Sequence, residues 1–263
     1  MAALELTRHG SVAVLTMNRP EARNALNAQM RAEFATLLPD IRDDDSISSV
    51  VLTGAGGHFC AGGDIKGITE AASANDVFEG RTRILDMHRW FDELVDLEKP
   101  VIAAVEGSAF GAGLSFALAC DFVFSAPDAK YCAVFARIGY TPDLGGMYLL
   151  PRAVGLANAK MLAFSAKVLD AKLALGMGLI QRVVDEGPVL EDAIEFAQRF
   201  ENAPHGAIGI MKSVMNRAFE SDRGSVYRQE AMAQAMCRES AFLKEAARRF
   251  IEKEPPLYQW NEK

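Results

Sequence analysis

Two glycine-rich turns dominate the chemistry that this chain of 263 residues can support. The first turn has the sequence HFCAGGDIKG (residues 58–67), and the second has EGSAFGAGLSFALACD (residues 106–121). Each turn follows a strand-like run of apolar residues, and the second leads into an apolar helical stretch. Two backbone N–H groups brought together from such turns can hold a developing oxyanion, and a helix N-terminus strengthens the second donor. The pattern therefore favours chemistry on a thioester carbonyl.

Strands that alternate with helices are predicted to position these turns. A hairpin is predicted to turn at His9 and Gly10, and the period of the apolar residues predicts the elements that follow. The predicted strands are 50–53, 101–105, 121–125 and 130–132, and the predicted helices are 27–41, 77–97 and a stretch that ends near residue 119. Such alternation implies a parallel, right-handed α/β arrangement.

The chain becomes almost purely helical after about Val184. The predicted helices there are 189–202, 204–220, 225–238 and 240–252. We therefore predict a core over residues 1–200 and a helical C-terminal region over residues 201–263. The apolar faces of these last helices fit either packing within the chain or packing between copies.

The composition excludes several classes of function. Hydrophobic residues make up 50% of the chain and charged residues 24%, as in an ordinary globular protein. The net charge of −7 argues against nucleic-acid binding, because a phosphate backbone requires a basic face, and also against a membrane-surface role. No signal-like segment or membrane span is recognisable, and the four scattered cysteines lack metal-ligand spacing. We expect a cytoplasmic protein without a bound metal.

Five segments resemble the enoyl-CoA hydratase/isomerase family of the crotonase superfamily in their order and spacing. They are MNRPEARNAL (residues 17–26), the two glycine-rich turns, GYTPDLGGMYLLPRAVG (residues 139–155) and FIEKEPP (residues 250–256). The stretch 111–155 is most similar to the ring-forming isomerase of phenylacetate degradation. The resemblance implies an α/β spiral of ββα repeats with a C-terminal helical region that joins copies into a trimer or a dimer of trimers. It also implies an acyl-CoA thioester substrate and no separate cofactor.

The resemblance assigns roles to backbone groups of the two turns. It places one oxyanion-hole N–H on Gly63 and the other on Ala112. A backbone donor is available from any residue except proline, so this sequence keeps both. Without the other motifs, the same glycines would indicate only tight turns.

The two glutamates of the family's hydratases are absent. Their positions are occupied by Ser115 and Phe135, and neither side chain can serve as a general acid or base at neutral pH. Hydration by the two-carboxylate mechanism is therefore disfavoured.

One acid, Asp143, remains at a position where double-bond isomerases of the family carry an aspartate. A single carboxylate suffices for a 1,3 proton shift, provided that the oxyanion hole holds the enolate. Phe135 and the nearby residues Phe110, Leu114 and Phe116 are expected to raise the pKa of Asp143 by removing water. Taken alone, an aspartate between proline and glycine indicates only a capped turn.

His88 keeps a second reaction open. Aryl-CoA dehalogenases of the superfamily use an aspartate at the Asp143 position as a nucleophile, together with a histidine that aligns with His88. They also carry a tryptophan where this chain has Phe135, so the match is partial. A histidine on an amphipathic helix is also commonly structural.

The resemblance also implies which residues contact CoA. The adenine is expected against the backbone of the first turn, from Ala61 to Ile65, where Asp64 braces the loop. Arg23 matches a basic residue near the CoA phosphates. Phe250 and Lys253 match a C-terminal pair that reaches a CoA site, often on a neighbouring subunit. Arg23, Phe250 and Lys253 fit a solvated surface equally well.

Three functions other than isomerisation therefore remain open on the sequence. They are hydrolysis with Asp143 as the nucleophile, silent acyl-CoA binding, and hydration by an acid that the motifs do not identify.

Overall fold

The computed structural model describes residues 1–65, 67, 69 and 77–260. The strands are β1 (Leu4–His9), β2 (Val12–Met17), β3 (Ser49–Gly54), β4 (Val101–Val105), β5 (Ser108–Phe110), β6 (Phe122–Ser125), β7 (Lys130–Cys132), β8 (Leu169–Asp170) and β9 (Arg182–Val183). The helices are α1 (Ala28–Asp43), α2 (Val77–Val95), α3 (Ala112–Ala119), α4 (Gly146–Val154), α5 (Leu156–Ser165), α6 (Ala171–Gly176), α7 (Val189–Gln198), α8 (His205–Asn216), α9 (Arg223–Glu239) and α10 (Ala241–Glu252).

Two sheets carry the core of the protein. The larger has the strand order β1-β2-β3-β4-β6-β9 and is parallel except for the β1–β2 hairpin. The smaller has the order β5-β7-β8, with β5 parallel and β8 antiparallel to β7. Gly10, with φ +64°, allows the hairpin turn that the sequence predicts.

Strands β3 and β4 are buried along their whole length because both faces of the larger sheet are covered. One face packs against α1, α2 and α3, through residues such as Leu52 and Ala103. The opposite face packs against α7, through residues such as Val51 and Ile102. Successive residues of one strand thus enter different clusters, as the period of two requires.

The predicted helices and strands up to β7 are present, with shifts of one or two residues at their ends. Asn27 caps α1, since its side chain accepts a hydrogen bond from the backbone N–H of Met30 at 2.9 Å. The predicted second turn needs a correction, because residues 108–110 form strand β5 and α3 begins at Ala112. Helices α4, α5 and α6 had no prediction, and Pro151 and Gly155 interrupt the apolar period of α4 and α5.

The C-terminal helices differ in how they meet the core. Lys212 anchors α8, since its Nζ donates hydrogen bonds to Asp121 Oδ2 at 2.8 Å and to the Lys99 carbonyl at 3.1 Å. Helices α9 and α10 bury none of their residues, although Phe250 and Ile251 are apolar. The predicted packing between copies stays a prediction, as does the domain boundary near residue 200. None of the described helices combines the length and apolar character that crossing a bilayer requires.

The Lys212–Asp121 pair is predicted to stabilise the fold more than an exposed pair does. The Lys212 side chain is 7% exposed, and Asp121 Oδ2 also accepts a hydrogen bond from the Val101 N–H at 2.7 Å. Removing one partner leaves an uncompensated buried charge, so we expect Asp121→Ala to lower the free energy of unfolding by ~3 kcal/mol.

The matched control is Arg217→Ala, which removes an exposed ion pair between Arg217 and Asp96 in the same region. It should lower the free energy of unfolding by less than ~1 kcal/mol. Urea denaturation of both variants measures the difference, and equal losses would contradict the prediction.

Candidate active site

A cavity of about 1970 Å³ lies where the two glycine-rich turns meet. Its walls come from the first turn, the start of α3, the inner face of α2 and the segment 134–147. The predicted residues Ala61, Gly63, Ala112, His88 and Asp143 all line this cavity. The fold therefore brings together groups that lie up to 82 positions apart in the sequence, from 61 to 143.

The main chains of the two turns are in direct contact. The Cys60 N–H donates to the Ser108 carbonyl at 2.8 Å, and the Phe110 N–H donates to the Cys60 carbonyl at 2.9 Å. A Cβ on Gly113 would lie 2.1 Å from the Cys60 oxygen, and one on Gly62 would lie 3.0 Å from the Phe110 oxygen. Glycine is therefore required at both positions, because any larger residue would separate the turns.

The two predicted oxyanion-hole donors lie on either side of this contact. Ala112 is the first residue of α3, whose first N–H groups have no partner within the helix. Its nitrogen lies 3.8 Å from the place that a Cβ on Gly62 would occupy. Gly63 lies between two residues that are hydrogen-bonded to Leu26. The Leu26 N–H donates to the Gly62 carbonyl, and the Asp64 N–H donates to the Leu26 carbonyl. Within the described residues, no acceptor takes the N–H of Gly63 or Ala112, so both are available to a ligand.

Asp143 is one of the carboxylates that line the cavity. Burial raises its pKa, while a hydrogen bond from its own backbone N–H and the positive charge of His88 act in the opposite direction. Its Oδ1 is buried and has no hydrogen-bond partner in the described part of the chain. An unsatisfied buried oxygen is costly unless a ligand completes it, which is common at functional sites.

The apolar surroundings of Asp143 differ in part from the prediction. Phe110 and Phe135 line the cavity, and Phe135 is 8% exposed. Leu114 and Phe116 instead face the hydrophobic core and do not line the cavity. Successive residues of helix α3 point in different directions, so its apolar run cannot all face the carboxylate.

Ser115 has a structural role that the sequence did not predict. Its Oγ donates a hydrogen bond to the Asp143 carbonyl at 2.9 Å, and the Gly146 N–H donates to the same oxygen at 2.8 Å. The next residue, Leu144, is buried with φ +45°, an unfavourable conformation for a branched side chain that persists only under surrounding constraint. A single polar residue in the apolar run of α3 was the available signal, since buried hydroxyls are normally hydrogen-bonded.

His88 faces the cavity because aromatic packing fixes helix α2. The Trp90 ring stacks on Phe34 at 5.2 Å and on Phe116 at 5.9 Å between ring centroids. These contacts hold α2 against α1 and α3, and His88 lies on the adjoining side of the helix. Burial raises the pKa of both Asp143 and Asp92, and the charge of Asp96 raises that of Asp92 further, whereas the charge of His88 opposes both shifts.

The first turn presents its predicted residues to the cavity. Ala61, Asp64 and Ile65 line the wall, and Asp64 Oδ2 pairs with Arg19 Nη2 at 3.0 Å. Asp64 therefore braces the loop. Arg23 does not line the cavity, and its carbonyl accepts a hydrogen bond from the Ala61 N–H at 2.9 Å.

The C-terminal pair lies elsewhere in the single chain. Phe250 is 86% exposed near the end of α10, and Lys253 caps that helix with φ +57°. Neither residue lines the cavity. Their predicted contact with CoA on a neighbouring subunit stays a prediction.

The described residues of the site provide neither a reactive cysteine nor a group of metal ligands. Burial raises the pKa of the Cys60 thiol to about 12, so this cysteine is a packing residue of the first turn. Among the residues that the structure describes, no three histidine, cysteine or acidic side chains come together to hold a metal ion.

The contact between the two turns is predicted to control activity. Gly113→Ala places a methyl group against the Cys60 carbonyl and moves the Ala112 N–H, so we expect kcat/KM to fall at least ~100-fold, as when one oxyanion donor is lost. The control is Gly206→Ala in helix α8, where a Cβ meets nothing within 4 Å. That variant should keep its activity, and circular dichroism should verify that both fold; equal activities would contradict the prediction.

Comparison with known proteins places this site in a family. The family model described as enoyl-CoA hydratase/isomerase matches residues 7–263. The chain is 36% identical over 249 residues to the short-chain-enoyl-CoA hydratase of Clostridium acetobutylicum. It is 35% identical over 253 residues to the 1,2-epoxyphenylacetyl-CoA isomerase of Escherichia coli. Each alignment covers 94% of this chain and 94% of the relative.

A solved structure extends the agreement to the fold. The crystal structure of an enoyl-CoA hydratase/isomerase from Cupriavidus metallidurans superposes with a TM-score of 0.94 at 33% identity, covering 100% of this chain and 98% of that one. The predicted crotonase-type fold is thereby confirmed. This chain belongs to the enoyl-CoA hydratase/isomerase family.

Proposed function

We propose that this enzyme moves a double bond within an enoyl-CoA thioester, with Asp143 as the only acid/base group. One observation carries the proposal. The Asp143 carboxyl, with an unpartnered Oδ1, lines the same cavity as the free N–H groups of Gly63 and Ala112. A base and two oxyanion donors are what proton removal next to a thioester requires.

The reaction consists of two proton transfers, the first from the α-carbon to Asp143 and the second from Asp143 to the γ-carbon. The ionised Asp143 carboxylate removes a proton from the carbon next to the thioester of a 3-enoyl-CoA. The electron pair moves onto the thioester oxygen, where the N–H groups of Gly63 and Ala112 stabilise the enolate. The protonated carboxyl then returns the proton to the γ-carbon. This step forms the 2-enoyl-CoA with its thioester carbonyl restored, and it leaves Asp143 ionised.

The side chains favour isomerisation over hydration. Hydration requires one group to activate water and another to protonate carbon, whereas the Ser115 hydroxyl is used in a hydrogen bond to the Asp143 carbonyl and Phe135 carries no proton. The relatives do not distinguish the two reactions by identity, since a hydratase and an isomerase match at 36% and 35%. The proposal therefore rests on the residues that surround Asp143.

His88 favours a second candidate, in which Asp143 is a nucleophile. Its carboxylate attacks the halogen-bearing carbon of an aryl-CoA and displaces halide, or attacks the carbonyl of an acyl-CoA and displaces CoA thiolate. His88 lines the same cavity and acts electrostatically on Asp143, so it is placed to assist hydrolysis of a covalent intermediate. Mass spectrometry of the protein after mixing with a halogenated aryl-CoA tests this alternative. A substrate-dependent mass increase that maps to Asp143 would support it and argue against simple isomerisation.

Asp143→Asn is predicted to abolish isomerisation. Asparagine keeps the shape of the side chain but cannot accept the proton, so we expect the rate of 3-enoyl-CoA to 2-enoyl-CoA conversion to fall at least ~100-fold. Absorbance of the conjugated thioester and α-proton exchange in deuterated water measure it. Asp96→Asn, which changes an exposed carboxyl at the same cavity, should retain the rate; an unchanged rate in Asp143→Asn would remove Asp143 from the mechanism.

The pH dependence of kcat/KM should follow the Asp143 pKa. Burial raises this pKa, and the base works only when ionised, so activity rises with pH through a value above that of an ordinary carboxyl. The positive charge of His88 lowers the same pKa, so His88→Gln should move this acidic limb to higher pH.

The control for that shift is His9→Gln, which changes an exposed histidine at the end of β1 that does not line the cavity. Its pH profile should coincide with that of the unmodified enzyme. An acidic limb that stays in place, or moves to lower pH, in His88→Gln would contradict the electrostatic role of His88.

A further inference from the structure

Three arginines line one wall of the cavity without a carboxylate partner. Arg31 comes from α1, and Arg81 and Arg83 come from the first half of α2. Within residues 1–65, 67, 69 and 77–260, none of the three forms an ion pair. This is unexpected in a chain with a net charge of −7.

The other charged residues of the cavity have charged neighbours. The ion pairs are Arg19–Asp64, Arg152–Glu220, Arg217–Asp96 and Lys212–Asp121. Asp92 and Asp143 both experience the charge of His88. The unpaired positive charge of the cavity is therefore concentrated at the wall formed by Arg31, Arg81 and Arg83.

Arg31 is partly removed from water at this wall. Its Nη1 lies 3.5 Å from the Met87 Sδ, and Met87 is 7% exposed. Burial and the nearby positive charge of Arg83 both lower the pKa of Arg31. Two like charges that are close and partly dehydrated are unfavourable unless an anion lies between them.

Helix α2 links these arginines to the proposed acid/base site. Met87 directly precedes His88, which acts on Asp143, and Arg83 lies one turn before Met87 on the same face of α2. Arg83 therefore lies five residues before His88 on α2, and Arg31 contacts the same stretch of the helix through Met87. A guanidinium pair of this kind matches the geometry of a carboxylate.

We propose that Arg31 and Arg83 bind a carboxylate at the far end of the acyl group, so that the substrate is the CoA thioester of a dicarboxylic acid. This inference rests on the proposed function and narrows its substrate class. Arg81, which is exposed, contributes long-range attraction at the same wall. A phosphate of CoA is the other anion with suitable chemistry, and the experiment below separates the two sources.

Calorimetric binding of saturated acyl-CoA thioesters tests the proposal. Each thioester of a dicarboxylic acid with four to eight carbons is paired with the methyl-ended thioester of equal length, and free CoA is measured alongside. For at least one length, the unmodified enzyme should bind the carboxylate-ended thioester about 10-fold more tightly. Arg31→Gln and Arg83→Gln should each remove that preference and leave the Kd of the methyl-ended thioester unchanged.

The matched control is Arg89→Gln, on the same helix but outside the cavity wall, where Arg89 is exposed and pairs with Asp86. It should keep the preference. Equal weakening of both thioesters and of free CoA in Arg31→Gln would assign the arginines to CoA phosphates and overturn the proposal. The absence of a preference at every length would also overturn it.

Saturated thioesters separate this test from that of the proposed reaction. They contain no double bond to shift, so the binding preference is measured whether or not Asp143 isomerises an unsaturated substrate. A preference without isomerase activity would retain the carboxylate subsite and reject the reaction. Isomerase activity without a binding preference would retain the proposed reaction and reject the carboxylate subsite.

Discussion

The close approach of two main-chain segments is the constraint on which the rest of the site depends. Cys60 is hydrogen-bonded to β5 on both its N–H and its carbonyl, and the first turn of α3 passes over it at a distance that only Gly113 permits. This arrangement requires the parallel strands to end together and α3 to start without a linker. The covered faces of the larger sheet supply the rigidity, since β3 and β4 lead directly into the two turns.

The second requirement is a carboxyl group held in an apolar environment. The segment that carries Asp143 does not belong to a sheet, so it depends on hydrogen bonds to its backbone. Ser115 and Gly146 both donate to the Asp143 carbonyl, and these contacts keep Leu144 in an unfavourable conformation. Ser115, at a position where the resemblance implies a glutamate in hydratases, thus supports the backbone of Asp143.

The sequence predicted the parts of this arrangement that are local. Glycine spacing and apolar periodicity placed both turns, the hairpin and helices α1 and α2, because those signals arise within short windows. Contacts between segments that are far apart in the sequence could not be predicted in this way. Ser115 and Asp143 are 28 positions apart, and no periodicity links them. Similarly, the motif assigned a contact with the CoA phosphates to Arg23, which does not line the cavity, and gave no signal for Arg31, which does.

The use of one group, Asp143, for both proton transfers also has a stereochemical consequence. In the proposed reaction, one carboxyl with a buried Oδ1 lies against one face of the planar enolate. The hydrogen that leaves the α-carbon is therefore returned to the γ-carbon on the same face, and the transfer is suprafacial. The same burial slows the exchange of that hydrogen with solvent, so part of an isotopic label on the α-carbon is retained in the product.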